Sequence, residues 1–315
     1  TSDGVTYTVV SARTIIEYHR HDDGLNYYGS GSKNLFEGSL TLTADPAAST
    51  RTTSFFSPEQ DITVKVTMSA GAGADRGGNS GGQGGKSEFL ITLEQNQEYI
   101  LKLGAATMPT GGANGGGGAA YIYKKGRLLV ALGGGGGAGT NGNGGNGGGI
   151  GVGGQRGGGR DGGAGGTVFS EGTLPTIGFF PGGQIYGGVN WSSPTAGRIS
   201  GCTIGSDYFS SRYSPCEDIG QERFRGSSGG EISQTPISHR GYKYVIGHRN
   251  NGGNGSGDQG GGGSGAAGGN SGGSAGSGGG GASGYSSGDV TVLTTQLGGN
   301  TSTNASITFE YYIAD

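Results

Sequence analysis

His19 and His21 stand one residue apart in the stretch YHRHDDGLNYYG (18–29), with Glu17 two residues before them. In an extended strand alternate side chains share a face, so Glu17, His19 and His21 point the same way. One chain supplies two imidazoles. Three chains about an axis would supply six, an octahedral set that suits iron or a similar transition ion. A polar exposed turn ahead of Asp22-Asp23 is the plainer reading of the same residues.

A second chemical cluster lies in 167–250, which holds the single tryptophan, Trp191, and both cysteines, Cys202 and Cys216. Tyr186, Trp191, Tyr208, Arg212, Tyr213, Arg223 and Arg225 are set among Gly, Ser and Pro without clean periodicity. Rigid aromatics beside adaptable Ser, Gly and Asn are what recognition loops use. Aromatic rings stack on sugar faces, and Arg forks onto carboxylate or phosphate. The alternative is a small second core, with Phe179, Phe180 and Ile185 inside. The two cysteines are equally compatible with one local disulfide and with two thiols.

Other arrangements fail on inspection. SGGQGGKS (80–87) has Ser80 where a phosphate-binding loop needs its first Gly, and it runs into the strand pattern EFLITL rather than a helix. The adjacent carboxylates Asp22/Asp23 and Glu217/Asp218 read as solvated loop charges. A polysaccharide-cleaving enzyme would need two carboxylates about 5–10 Å apart. Within 167–250 the acids open to that role are Glu171, Asp207, Glu217, Asp218, Glu222 and Glu231. The formal net charge of −3 carries no basic excess to track phosphates, so nucleic acid is not an expected partner. No apolar run approaches the roughly 20 residues of a spanning helix, so membrane insertion is not expected.

These residues need a scaffold, and the composition makes that a question. Glycine supplies 80 of 315 residues, against only 30% hydrophobic residues. It gathers in blocks at 71–85, 111–118, 133–166 and 252–288. Between the blocks, ITVKVTM (62–68) alternates with period 2, a half-buried strand. FLITLEQNQEYILKL (89–103) reads as two strands about a polar turn, and YIYKKGRLLVAL (121–132) as a hairpin. VTVLTTQL (290–297) and SITFEYYI (306–313) read as strands parted by a Gly-Gly-Asn turn. No amphipathic helix emerges. The expectation is a mainly β fold: an antiparallel β-sandwich, jelly-roll-like, with the glycine blocks as excursions from it.

The glycine itself keeps phase. From Gly133 to Gly157 every third residue is Gly, and from Gly257 to Gly284 the same holds except at Ala266 and Ala275. Three residues is the period of the polyproline-II helix, whose N–H and C=O groups point outward. The reading is a bundle of polyglycine-II helices inserted in the sandwich. In it Gly faces neighbouring helices, while Asn143, Asn146, Val152, Gln155 and Arg156 face water. A Gly/Ser linker is the alternative, above all for 252–288.

The order FFSPEQDITVKVTMSAGAGAD, then KSEFLITLEQNQEYILKLG, then GGANGGGGAAYIYKKGRLLVALGGGGGAG resembles the glycine-rich domain at the tips of bacteriophage tail fibres. It is also similar to the extracellular glycine-rich region of anaplastic lymphoma kinase receptors. The likeness covers about 55–166 well and 252–313 loosely, and LLVALGGGGGAG is its most specific phrase. The phage resemblance implies a virion adhesin at the fibre tip, without catalysis. Its partners would be a host cell-surface glycan or outer-membrane protein and the tail-fibre shaft, in a homotrimer with His-x-His pairs on its axis. It implies residues 1–50 as a fibre-connecting or oligomerisation segment, 51–315 as sandwich plus polyglycine-II domain, and 167–250 as the receptor-recognition insertion. The other readings are a surface-polysaccharide depolymerase and a structural or ice-binding glycine protein. The long aromatic-Arg insertion counts against the latter.

Overall fold

The computed structural model describes residues 14–21, 27–44, 51–104, 115–124, 127–166, 258–266, 268–269, 271–273 and 276–313, with seven short strands between 178 and 247. The fold is mainly β, in two antiparallel sheets, with no α-helix among the described residues. The strands are β1 (Ile15–His21), β2 (Tyr27–Asn34), β3 (Leu40–Thr43), β4 (Arg51–Pro58), β5 (Ile62–Ser69), β6 (Gly84–Leu93), β7 (Tyr99–Gly104), β8 (Ala120–Lys124) and β9 (Arg127–Leu132). A 3-10 turn, η1 (Leu35–Glu37), joins β2 to β3. Between 178 and 247 lie β10 (Gly178–Phe179), β11 (Gln184–Tyr186), β12 (Arg198–Ile199), β13 (Cys202–Thr203), β14 (Phe224–Arg225), β15 (Gln234–His239) and β16 (Tyr242–Gly247). The chain closes with β17 (Tyr285–Ser286), β18 (Val290–Asn300) and β19 (Ser306–Tyr311).

One sheet runs β17-β9-β8-β7-β4-β1-β2 and the other β18-β6-β5-β19-β3. Their facing sides share one core. Phe56 of β4 meets Phe309 of β19 at 5.0 Å between ring centroids and stacks on Tyr99 of β7 at 5.3 Å. The alternation of ITVKVTM is realised: Ile62, Val64, Val66 and Met68 are buried while Thr63, Lys65 and Thr67 are half-buried on the outer side. Across that outer side Lys65 pairs with Glu88 of β6 at 3.4 Å. The 121–132 hairpin forms as read, β8 pairing with β9.

One reading changes. Gly298, Gly299 and Asn300 belong to β18 and are not a turn between the last strands. β18 pairs with β6 while β19 pairs with β5 and β3, so the two are not a hairpin. The strand persists because Gly298 and Gly299 take φ of 73° and 108°, values that bulge the edge without ending it. β1, β2 and β3 pair into the two sheets, and Ile16, Leu35, Leu40 and Leu42 enter the common core.

The glycine blocks are laterally bonded extended segments. Along 133–139 the donors rotate with period three. Gly133, Gly136 and Gly139 donate to Gly148, Gly145 and Gly142; Gly134 and Gly137 donate to Ser264 and Gly261; Gly135 and Ala138 donate to Gly71 and Ala74. The carbonyls of the same segment accept from Gly82 and Gly85, from Gly279 and Ala282, and from Gly117. The segment therefore donates to three neighbours and accepts from three others. Its backbone groups are satisfied as burial requires, and an apolar core is not needed to hold it.

Candidate functional site

The candidate site is the glycine array and the places, at Gly166 and Asp258, where the residues between them join it. The array excludes side chains at its contacts. A Cβ added to Gly136 would lie closer to Gly279 O than the 3.0 Å that real Cβ atoms observe, and the same holds for Gly133 against Ala282 O and Gly145 against Gln155 O. Where a Cβ fits, alanine is found: Ala138, Ala266 and Ala282 are buried within the array.

The phase assigned from sequence is part of this pattern. Gly142, Gly145 and Gly148 are close-contact positions as read, but so are Gly134, Gly135, Gly144 and Gly147, which lie off that phase. A segment with neighbours on several sides meets close contacts at more than one position of the period. Asn143 is exposed and Asn146 half-buried, and both do more than face water. Asn143 Oδ1 accepts from Ser80 N–H (3.0 Å), and Asn146 Oδ1 accepts from Gln83 N–H (2.9 Å). Two amides spaced by three thus satisfy two backbone donors spaced by three. Gln155 and Arg156 are exposed as read, Val152 is half-buried, and Arg156 Nε donates to Gly162 O (3.0 Å).

One end of the array is a set of tied turns. Asn79 Nδ2 donates to the carbonyls of Gly139 (3.1 Å) and Thr140 (2.8 Å). Arg76 bonds Asp258 at 3.0 Å, and Thr140 N–H donates to Asp258 O. Asp161 N–H donates to Ser277 Oγ (3.1 Å), and Asp161 O accepts from Gly273 N–H. No spacing rule singles out Asn79, Arg76 and Asp258; their roles arise from segments distant in sequence.

The insertion is anchored at two different levels of the array. On the outgoing side Gly166 N–H donates to Gly281 O, and Gly166 O accepts from Gly154 N–H. The chain returns at Asp258, among the turns. Gly281 is five residues from the Gly276 turn. The insertion therefore enters and leaves at points separated along the array, each held by backbone bonds.

Of the proposed recognition residues, Tyr186 ends β11 opposite Gly178 and Arg225 ends β14 opposite Arg198. Trp191, Tyr208, Arg212, Tyr213 and Arg223 lie outside the described residues, as do Cys216 and the side chains of Phe179, Phe180 and Ile185. The carboxylates considered above for polysaccharide cleavage lie outside them too.

His19 sits on β1, an inner strand of its sheet, opposite Ser30 of β2 and Phe55 of β4. Ile16 on the other face is buried in the core, which puts Glu17 and His19 on the outer face. The backbone of His21 continues that strand, and its side chain is outside the described set. Among the described residues no three His, Cys, Asp or Glu side chains gather as a metal site. Among the described residues no helix is long and apolar enough to cross a membrane.

No protein-family model matches the chain, and no curated protein matches it.

Proposed function

We propose that the chain is a receptor-binding adhesin of the kind that forms the tip of a bacteriophage tail fibre, with its glycine array as a polyglycine-II bundle and 167–250 as the segment that meets the host surface. The observation that carries this reading is the array: glycine segments bonded to neighbours on every side, with an insertion tied in at Gly166 and Asp258. Such a scaffold is rigid without a large core and constrained at nearly every position. It suits holding a variable element at a distance from a shaft. The reading requires no catalytic group. The aromatic and arginine side chains of the insertion provide stacking surfaces and forked donors suited to a cell-surface glycan or an outer-membrane protein. The fibre shaft and two further copies of the chain complete the proposed assembly at the virion tip.

The test is adsorption of labelled protein to a panel of Gram-negative bacteria. Trp191→Ala and the pair Arg223→Ala/Arg225→Ala are expected to lose about 30-fold or more in affinity for a strain the parent binds, with melting unchanged, as truncated anchors of ~2 kcal/mol do. Binding that survives both changes contradicts the assignment. New reducing ends in that strain's polysaccharide would make the protein a depolymerase.

A further inference from the structure

A second exposed feature lies on the sandwich, away from the glycine array. η1 is a three-residue turn held by an unusual number of bonds. Leu35 N–H donates to Thr14 O (2.8 Å), and Phe36 N–H is shared between Thr14 Oγ1 (2.9 Å) and Asn34 Oδ1 (3.2 Å). Thr14 Oγ1 donates to Asn34 Oδ1 (2.6 Å), and Asn34 Nδ2 donates to Glu37 Oε1 (3.2 Å). Leu35 is buried in the core, and Gly38 closes the turn at φ 143°, a conformation that side chains disfavour. What this turn fixes in place is the side chain of Phe36, which is 70% exposed.

Phe36 is not isolated. Its ring lies 6.1 Å from that of Tyr311 at 60°, and the two rings with Ser39, Glu310 and Ile313 line an open groove. Ile313 is 68% exposed. The groove pairs two aromatic surfaces with the hydroxyls of Ser39 and Tyr311. A pyranose ring presents the complement: a C–H face that packs on an aromatic ring, and a rim of hydroxyls that need donors and acceptors. The charges near the turn are mixed. A Cβ at Gly38 would lie 3.5 Å from Lys33 Nζ, so this ammonium borders the turn that also carries Glu37. Such a balance favours a neutral ligand over an anion.

We infer that the Phe36–Tyr311 groove binds a neutral hexopyranose unit, with Phe36 as stacking platform and the Ser39 and Tyr311 hydroxyls taking its hydroxyl groups. The residues of this site lie outside 167–250, and it stands whether or not 167–250 recognises a cell. Rigid aromatic anchors keep their contact area at low entropic cost, and the bonded turn meets that condition for Phe36.

The test is saturation-transfer NMR on the isolated protein with the methyl glycosides of glucose, galactose and mannose. The expected result is transfer to the ring C–H protons of at least one glycoside. Affinity should fall about tenfold in Phe36→Ala, and stay unchanged in Leu293→Ala, an exposed apolar position on β18. Phe36 is mostly solvent-facing, so the variant is expected to melt with the parent. Tyr311→Phe, which keeps the ring and removes the hydroxyl, gives a second reading of the same site through a smaller loss. Three outcomes would overturn the inference: no transfer from any glycoside, equal transfer in parent and Phe36→Ala, or a sedimentation coefficient that falls in Phe36→Ala because the groove is covered by a second copy. Because no cells are involved, a parent that gives the Phe36-dependent sugar signal but adsorbs to no strain of the panel separates this site from the adhesin reading.

Discussion

Gly136→Ala adds one carbon where the array has no room for it. The new Cβ would sit inside 3.0 Å of Gly279 O, and the obstacle is backbone rather than a side chain that could rotate away. Segments 133–139 and 276–284 must separate, and two bonds lie directly across that contact: Gly279 N–H to Gly137 O and Ala282 N–H to Gly134 O, both 2.9 Å. Each is worth about 1 kcal/mol, and a buried backbone group left without a partner costs about 1–3 kcal/mol more. The variant should lose about 3–5 kcal/mol, close to the upper end for point changes. At about 2–4 °C per kcal/mol that lowers Tm by roughly 10 °C. The control is Gly29→Ala on β2, where a Cβ would meet nothing within 4 Å and the backbone is not in the left-handed region. It should be neutral or stabilising by up to about 1 kcal/mol. Calorimetry or circular dichroism on the two proteins decides the matter. Melting of Gly136→Ala within about 1 °C of the parent would refute the packing argument.

Asn143→Ala and Asn146→Ala should each cost about 0.5–1 kcal/mol by chemical denaturation, since each strands one backbone donor, on Ser80 or Gln83, that borders water. A loss as large as that of Gly136→Ala would show that these amides are buried links rather than edge clamps. Tyr99 is buried against Phe56 and accepts from Glu94 N–H at 3.0 Å, and burial raises its hydroxyl above the ordinary 10.0. The folded state therefore favours the neutral phenol. Its contribution is fully present below pH 10 and is lost as pH rises through the higher folded-state value. Tyr99→Phe should cost about 1 kcal/mol at neutral pH and flatten the alkaline loss in a pH series of melts; an unchanged alkaline slope would assign that loss to other groups.

The parts legible in the sequence are those whose neighbours repeat. Ile62, Val64, Val66 and Met68 alternate because one face of β5 meets the core, and the residues show it directly. The three-residue glycine period shows equally plainly, because donors three apart along 133–139 bond the same neighbouring segment. β2 was not legible: YYGSGSKN has no apolar alternation, and it is a strand because β1 beside it is one. The extent of β18 was hidden by Gly298 and Gly299, which ordinarily signal a turn. Close packing at Gly134, Gly135, Gly144 and Gly147 escaped the period because it depends on other segments, 82–83 and 117–118 among them, whose placement the period of one run does not reveal. The clamp roles of Asn79, Asn143 and Asn146 escaped for a similar reason: an Asn among glycines looks solvated until its partner strand is placed. The outward alternation of Glu17 and His19 was legible, but the described residues gather no completing ligand set around them.

Native-state amide hydrogen exchange across 133–149 tests the scaffold most directly. Each of Gly133 to Thr140 donates its N–H to another segment, so these amides should exchange together and slowly, protected to a degree near that of the β5 and β6 amides in the sandwich. Exchange at random-coil rates through Gly133–Gly139, with β5 and β6 still protected, would contradict the account and make the glycine blocks a tether.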